Sequence, residues 1–214
     1  MCCGNVIKWY DLVPVLSYIL LKGKCRNCGT KLSVQYPIIE SLNGILYCVI
    51  FATLGINAKS VLTMLLASAL IVIAVIDWRT FEIPFGLNVF ITVLGLTVVV
   101  IKLAERDITG IADNLIGAVS VSGFLLILYL VTKGRGIGGG DIKLMAATGL
   151  LIGWKLNILA FFLGCIYGSV IHIIRMKISG KGHVLALGPY LAAGVMTAVL
   201  VGKEIIDWYF GMLG

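Results

Sequence analysis

Of the ten acidic side chains in this 214-residue chain, two stand where a carboxylate is costly. Asp77 ends the apolar run Ala69-Leu-Ile-Val-Ile-Ala-Val-Ile76. Asp141 follows Gly138-Gly-Gly140 and opens the run Ile142-Lys-Leu-Met-Ala-Ala147. Ionisable groups at membrane helix ends are expensive and often functional. Two carboxylates within hydrogen-bonding reach cannot both ionise cheaply, so one keeps its proton while the other acts as a base. Such a pair can activate a water for attack on a peptide carbonyl, the protonated partner assisting the developing oxyanion and the leaving amine. This chemistry needs no metal and no serine or cysteine nucleophile. It needs peptide backbone to come close, which Gly138 and Gly140 allow because they lack a Cβ. Either aspartate alone could simply end its helix, Asp141 as an N-terminal cap favouring the helix dipole. Two at matched depth, one behind a glycine cluster, favour the joint reading.

The same glycines satisfy a nucleotide fingerprint, since Gly134-Arg-Gly-Ile-Gly-Gly139 reads G-x-G-x-x-G. That pattern carries meaning only after a strand and at the opening of a helix in a βαβ unit. Here it follows Phe124-Leu-Leu-Ile-Leu-Tyr-Leu-Val131, the end of an apolar span, and the nucleotide reading is set aside.

The elements that must position the two aspartates are membrane helices. The chain is 60% hydrophobic and 13% charged, with a mean hydropathy of +1.06. A soluble domain carries about 25% charge, which argues against a soluble α/β enzyme. Apolar runs of about 20 residues cross a hydrocarbon core of roughly 30 Å. Candidate spans fall near 37–57, 61–78, 84–103, 111–132, 140–153, 156–174 and 184–202, the fifth being short and glycine-rich. The expected fold is an all-α polytopic membrane protein of about seven transmembrane helices. A small polar, cysteine-containing region, residues 1–36, precedes a transmembrane domain, residues 37–214.

The net charge of +7 reports loop orientation and predicts no nucleic-acid partner. With seven spans, twelve Lys and Arg residues fall on the side of residues 1–36 and five on the other. This positive-inside bias puts the N-terminal region, Asp77 and Asp141 on the cytoplasmic side. Glu105, Asp107, Asp113, Glu204 and Asp207 then read as outer-surface charges, and Glu40 sits at the entry to the first span. Gly149-x-x-x-Gly153 and Gly164-x-x-x-Gly168 are spacings that allow close helix packing in lipid.

Cys25-Arg-Asn-Cys28 is a C-x-x-C knuckle on the reducing side of the membrane, so a metal is expected rather than a disulfide. Tetrahedral zinc takes four ligands, and Cys2 and Cys3 are the further candidates. Cys48 and Cys165 lie mid-span and read as small buried hydrophobes. His172 and His183 read as solvated or core residues.

Taken together, these motifs resemble the type IV prepilin peptidases, membrane aspartyl proteases of the Gly-x-Gly-Asp class. Gly138-Gly-Gly-Asp141-Ile-Lys-Leu144 is similar to the family's Gly-x-Gly-Asp-x-Lys-Leu, which includes Lys143. Ala74-Val-Ile-Asp77 with Ile83-Pro84 resembles its first aspartate motif, and Leu187-Gly-Pro-Tyr-Leu-Ala192 a motif near its C-terminus. Val13-Pro-Val-Leu-Ser-Tyr18, Gly23-Lys-Cys-Arg-Asn-Cys28 and Tyr36-Pro-Ile-Ile-Glu40 stand in the order of the bacterial branch.

The resemblance implies a bifunctional enzyme of the bacterial cytoplasmic membrane, with prepilins and pseudopilins as substrates. It would cleave their leaders after a glycine at the cytoplasmic face. It would then methylate the new N-terminal amine with S-adenosylmethionine. It implies Asp77 and Asp141 as catalytic residues, with Gly138, Gly140 and Lys143 in the substrate loop. Gly23, Lys24 and Glu40 fall near the methyl-transfer function, and Cys2, Cys3, Cys25 and Cys28 are the candidates for a structural zinc. In the family a second C-x-x-C pair and an upstream span precede these positions. The expectation is therefore that the chain starts inside that pattern, without the first helix; Cys2 as fourth ligand is the alternative. Two other readings use the same aspartates. One is a presenilin-like protease cutting other substrates within the bilayer. The other is an ion- or proton-coupled transporter, which would show inverted repeats and broken helices in both halves.

Overall fold

The computed structural model describes residues 3, 4, 6, 8–179 and 185–212, and its elements are helical. A 3-10 turn, Trp9–Leu12, and a short helix α1, Leu16–Leu20, lead to seven longer helices. These are α2 (Gln35–Leu54), α3 (Ala58–Thr80), α4 (Phe85–Ala104), α5 (Ile108–Val131), α6 (Gly139–Ile152), α7 (Trp154–Ser179) and α8 (Gly188–Gly211). All seven expected spans are helices. Six are long and apolar enough to cross a membrane, and the chain is a multi-pass membrane protein. The sixth helix, α6, has 14 residues, about 21 Å at 1.5 Å per residue, and falls short of a hydrocarbon core of about 30 Å.

The chain forms two compact units, residues 1–60 and 61–214. In the first, α2 ends at Gly55, whose φ of 69° turns the chain out of the helix. Asn57 then opens α3, its Oδ1 accepting from Ser60 N at 2.9 Å. Cys48 corrects an expectation: it is exposed on the surface of α2 rather than buried.

In the second unit α7 packs along α8, and α6 packs against α4, α5 and α7. Its core is aliphatic, with Leu66, Leu70, Ile73, Ile91, Leu125, Leu144, Met145, Leu191 and Val195 fully or almost fully buried. Asp107 caps α5, its Oδ1 accepting from Gly110 N at 2.9 Å and Thr109 Oγ1 at 2.8 Å. These donors hold its carboxyl below the usual carboxylate range. Gly117 and Gly149 let α5 and α6 approach until backbone meets backbone, since a Cβ on either would overlap the other's carbonyl. Gly149 thus packs as its spacing suggested. Gly153 packs against α5 as well, where a Cβ would overlap the Asp113 carboxylate, and it also ends α6 with a φ of 81°, a conformation in which a Cβ is costly. Glu204 and Asp207 lie on the last turns of α8, which starts later and runs further than expected. His183, Lys181 and Cys2 lie outside the described residues.

Candidate functional site

Four helix ends converge at one end of the second unit. Asp77 lies three residues before the end of α3, and Asp141 is the third residue of α6. Both are buried, at 5% and 8% exposure, and they are close enough for the charge of Asp77 to act on Asp141. The amide of Gly188, at the start of α8, donates to Asp77 Oδ2 at 2.9 Å. A Cβ on Gly188 would stand 2.7 Å from that oxygen, so a side chain there would displace the carboxylate. Asp141 N donates to the Gly138 carbonyl at 3.2 Å, and a Cβ on Gly138 would lie 3.1 Å from Asp141 Oδ2. Gly140 faces Ile83, just ahead of α4, where a Cβ would meet the Ile83 side chain at 3.0 Å. The loop glycines therefore bring backbone up to the carboxylates.

The chain around the pair is set by local rules. Phe81 N closes on the Asp77 carbonyl at 2.9 Å and ends α3 with Phe81 at a φ of 57°. Pro84 then fixes an extended entry into α4. Lys143 points its Nζ over the Phe85 ring at 5.3 Å, and Arg175 of α7 covers the Trp78 ring at 5.0 Å. Two cations are thus held on aromatic faces that stabilise them, on residues near Asp77 and Asp141 in sequence or contact.

The neighbouring helices run on past the level of the two aspartates. Asn114 near the start of α5 is bonded to Leu150 near the end of α6. Counting from that level at 1.5 Å per residue, α5 runs on about 12 Å past Asp141. Gly168 of α7 packs on Tyr190 of α8, and from there α7 runs on by about 16 Å. The carboxylates are therefore recessed behind the ends of α5 and α7.

Sequence reasoning missed several polar groups. Among the described residues, the side-chain amide of Asn88, one turn into α4, is buried without a hydrogen-bond partner, as is the Tyr190 hydroxyl two residues after Gly188. Asn114, Thr148 and Asn157 are also buried, inside a bonded network. The available signal was the presence of amides and hydroxyls within apolar spans, where polar residues join helices.

In the first unit Cys3, Cys25 and Cys28 bring their sulfurs within 4.8 Å of one another. Three thiolates at that spacing fit the tetrahedral sulfur coordination of zinc, whose Zn–S distance is about 2.3 Å. The turn is built by Cys25 N donating to the Thr30 carbonyl at 2.9 Å and Gly29 N donating to the Cys25 carbonyl at 3.0 Å. Cys28 Sγ lies 3.2 Å from Thr30 Oγ1. Hydrogen bonds from the Thr30 side chain and backbone, then from Cys25 and Cys3, pull the Cys28 thiol down to about 6. Arg26 grips Asp11 through Nε at 3.0 Å and Nη2 at 2.6 Å, which lowers the Asp11 carboxyl.

The methyl-transfer candidates have local duties. Gly23 adopts a φ of 68° with its Cα facing the Tyr18 ring, and its carbonyl accepts from Leu32 N at 2.8 Å. Lys24 pairs through its backbone with Lys31. Glu40 Oε2 accepts from Val15 N at 3.0 Å, supporting a residue with a φ of 62°. These contacts scaffold the knuckle.

Fold and site together define a polytopic helical membrane protein with a recessed pair of aspartates and an attached cysteine knuckle. The model of the type IV leader peptidase family matches residues 64–173, and that of the bacterial peptidase A24 N-terminal domain matches residues 1–54. The chain belongs to the type IV leader peptidase family. It is 31% identical to a prepilin leader peptidase/N-methyltransferase of Bacillus subtilis, covering 98% of this chain and 84% of that one. Proteins of the same description from Pseudomonas putida and Aeromonas salmonicida are 29% and 30% identical, covering 99% of this chain and 74% and 73% of theirs. No solved structure matched the chain at a significant level.

Proposed function

We infer that this chain is an aspartic endopeptidase that removes the leader of type IV prepilins and pseudopilins and N-methylates the new terminus. Family membership supports the activity, and the observation that carries the site is the burial of Asp77 and Asp141 together at one glycine-lined helix end. In the proposed reaction one carboxylate is ionised and takes a proton from a water held between the pair. The oxygen attacks the scissile carbonyl carbon while the protonated carboxyl gives its proton to the carbonyl oxygen. The tetrahedral intermediate then collapses. Its C–N bond breaks, a proton passes to the leaving nitrogen, and a carboxylic acid and a free amine result.

The Gly188 amide holds Asp77 in one orientation, which pre-sets the geometry the reaction needs. Gly138, beside Asp141, is the candidate to admit an extended substrate backbone, while Gly140 makes room for Ile83 against the start of α6. The recess behind the ends of α5 and α7 suits a substrate whose apolar segment lies in the bilayer and whose leader emerges at its edge. Lys143 and the positive-inside distribution support a cytoplasmic position for this edge.

Cys3, Cys25 and Cys28 would hold a zinc, with Cys2 the candidate fourth ligand, and the ion would supply a structural cross-link to the knuckle. Methyl transfer would move a methyl from S-adenosylmethionine to the new amine, with Gly23, Lys24 and Glu40 as the candidate region.

Cleavage of a prepilin in liposomes by the wild type, Asp77→Asn and Asp141→Asn tests this reading. Both substitutions should abolish cleavage, and full activity in either would overturn the assignment. Cleavage should survive a chelator, because the dyad needs no metal.

A further inference from the structure

The short helix α6 carries Asp141, yet its own length does not set its depth. At about 21 Å it cannot anchor at both faces of a core of about 30 Å. Polar side chains hold it from its middle to the end away from Asp141. Asn157 of α7 is fully buried. Its Nδ2 donates to Met145 O of α6 at 3.0 Å and to Gly117 O of α5 at 3.1 Å. Its Oδ1 lies 3.1 Å from Thr148 Oγ1 of α6, whose single proton is shared with the Leu144 carbonyl at 2.9 Å. Asn114 of α5 donates to Leu150 O at 2.6 Å and Leu151 O at 3.2 Å, carbonyls of the last turn of α6. Lys102 of α4 donates to Asn114 Oδ1 at 2.6 Å and Gly110 O at 3.1 Å.

We infer that Asn157, Thr148 and Asn114 are positioning residues that fix the depth and rotation of α6, and so the approach of Asp141 to Asp77. The inference rests on the peptidase reading for its link to rate. Its geometric part stands apart from that reading. Helices facing lipid gain little from apolar contact with one another, so packing and hydrogen bonds decide their register. A slip of one residue moves α6 by about 1.5 Å and turns it by about 100°. That turn carries the Asp141 carboxylate off the side facing Asp77. Each bond of the clamp specifies one register because its acceptor is a particular carbonyl, which an aliphatic side chain would not do. Gly117 and Gly149 bring the backbones close enough for these short side chains to reach.

The test compares Asn157→Leu, Asn114→Leu and the isosteric Thr148→Val, with Thr148→Ser as the conservative rescue. Prepilin cleavage is followed in liposomes across pH, and folded protein is quantified by size exclusion and thermal melting. Asn157→Leu should lower kcat about 10- to 100-fold with KM within about threefold, a misplacement effect. It should also alter the spacing between the two limbs of the pH–rate profile, since that spacing reports how the carboxylates interact. Thr148→Val should show a smaller loss in kcat, and Thr148→Ser should restore wild-type behaviour. Losses that track only the amount of folded protein, with the pH profile unchanged, would overturn the inference.

An activity-independent measurement separates it from the peptidase reading. Nitroxides attached to ketone-bearing residues at positions 80 and 139 report the distance between the ends of α3 and α6. A narrow distribution in the parent should broaden or shift in Asn157→Leu. An unchanged distribution would remove the clamp even if cleavage occurs, and a changed one would support it even if the parent cleaves no prepilin.

Discussion

At the scale of single residues, the pair Asp77 and Asp141 should behave as a unit. Replacing either by Asn removes the base or the acid, and general acid–base contributions of about 10²–10⁴ each predict loss of at least about 10³ in kcat for Asp77→Asn or Asp141→Asn. Initial rates of prepilin cleavage check this. Gly188→Ala should also impair catalysis without touching substrate, because its Cβ would stand 2.7 Å from Asp77 Oδ2. Displacement on the scale of 1 Å predicts about a 10²-fold fall in kcat, and a rate near wild type would show that the Gly188 contact is dispensable. Tyr190→Phe runs the other way. The buried hydroxyl has no partner among the described residues, and an orphan of this kind costs about 1–3 kcal/mol. The substitution should leave thermal stability equal or raised; a clear fall in Tm would reveal a hydrogen bond to lipid, water or substrate.

At the scale of the element, the cysteine knuckle should respond to pH through Cys28. Its thiol is lowered from an ordinary value near 9 to about 6 in the folded chain. A depressed acid stabilises the fold fully above its ordinary value. That contribution fades as pH falls and is gone below about 6. Metal binding follows the same direction, because protons compete for the thiolate. Zinc released to a chromophoric indicator should therefore rise as pH drops through 6, and Cys28→Ser should hold less zinc at pH 7 while prepilin cleavage persists. A zinc affinity that does not weaken as pH falls would contradict the coordination proposed. The Asp11–Arg26 pair adds to the same trend, since the Asp11 carboxyl is also lowered and loses its charge on acidification.

The whole molecule decides which side of the membrane the recess faces. With seven spans, twelve of seventeen Lys and Arg residues fall on the side of the aspartates, so the orientation proposed from the positive-inside rule has the loop after α5 in the cytoplasm and the loop after α4 outside. A reporter enzyme that folds only outside the cytoplasm should be active when fused after Glu105 and inactive when fused after Lys133. The reverse pattern would invert the proposed orientation and with it the site of cleavage.

Much of this was written in the chain itself. Apolar runs bounded by Pro84, Asp107 and Gly153 determined nearly every helix, because in lipid a backbone has few ways to satisfy its hydrogen bonds. Asp77 and Asp141 stood out because so few charges interrupt those runs. Other features depend on contacts between distant segments, which no local pattern encodes. The Gly188 amide reaches Asp77 across 111 positions, and Asn157 bonds Gly117 across 40. The same holds for α6. Its shortness could be read from its glycines, but its depth is set by amides on two other helices. Sequence determined that two carboxylates would stand at helix ends. Only the tertiary structure decided that they are recessed side by side, because register in a membrane is fixed by specific polar pairs rather than by hydrophobicity.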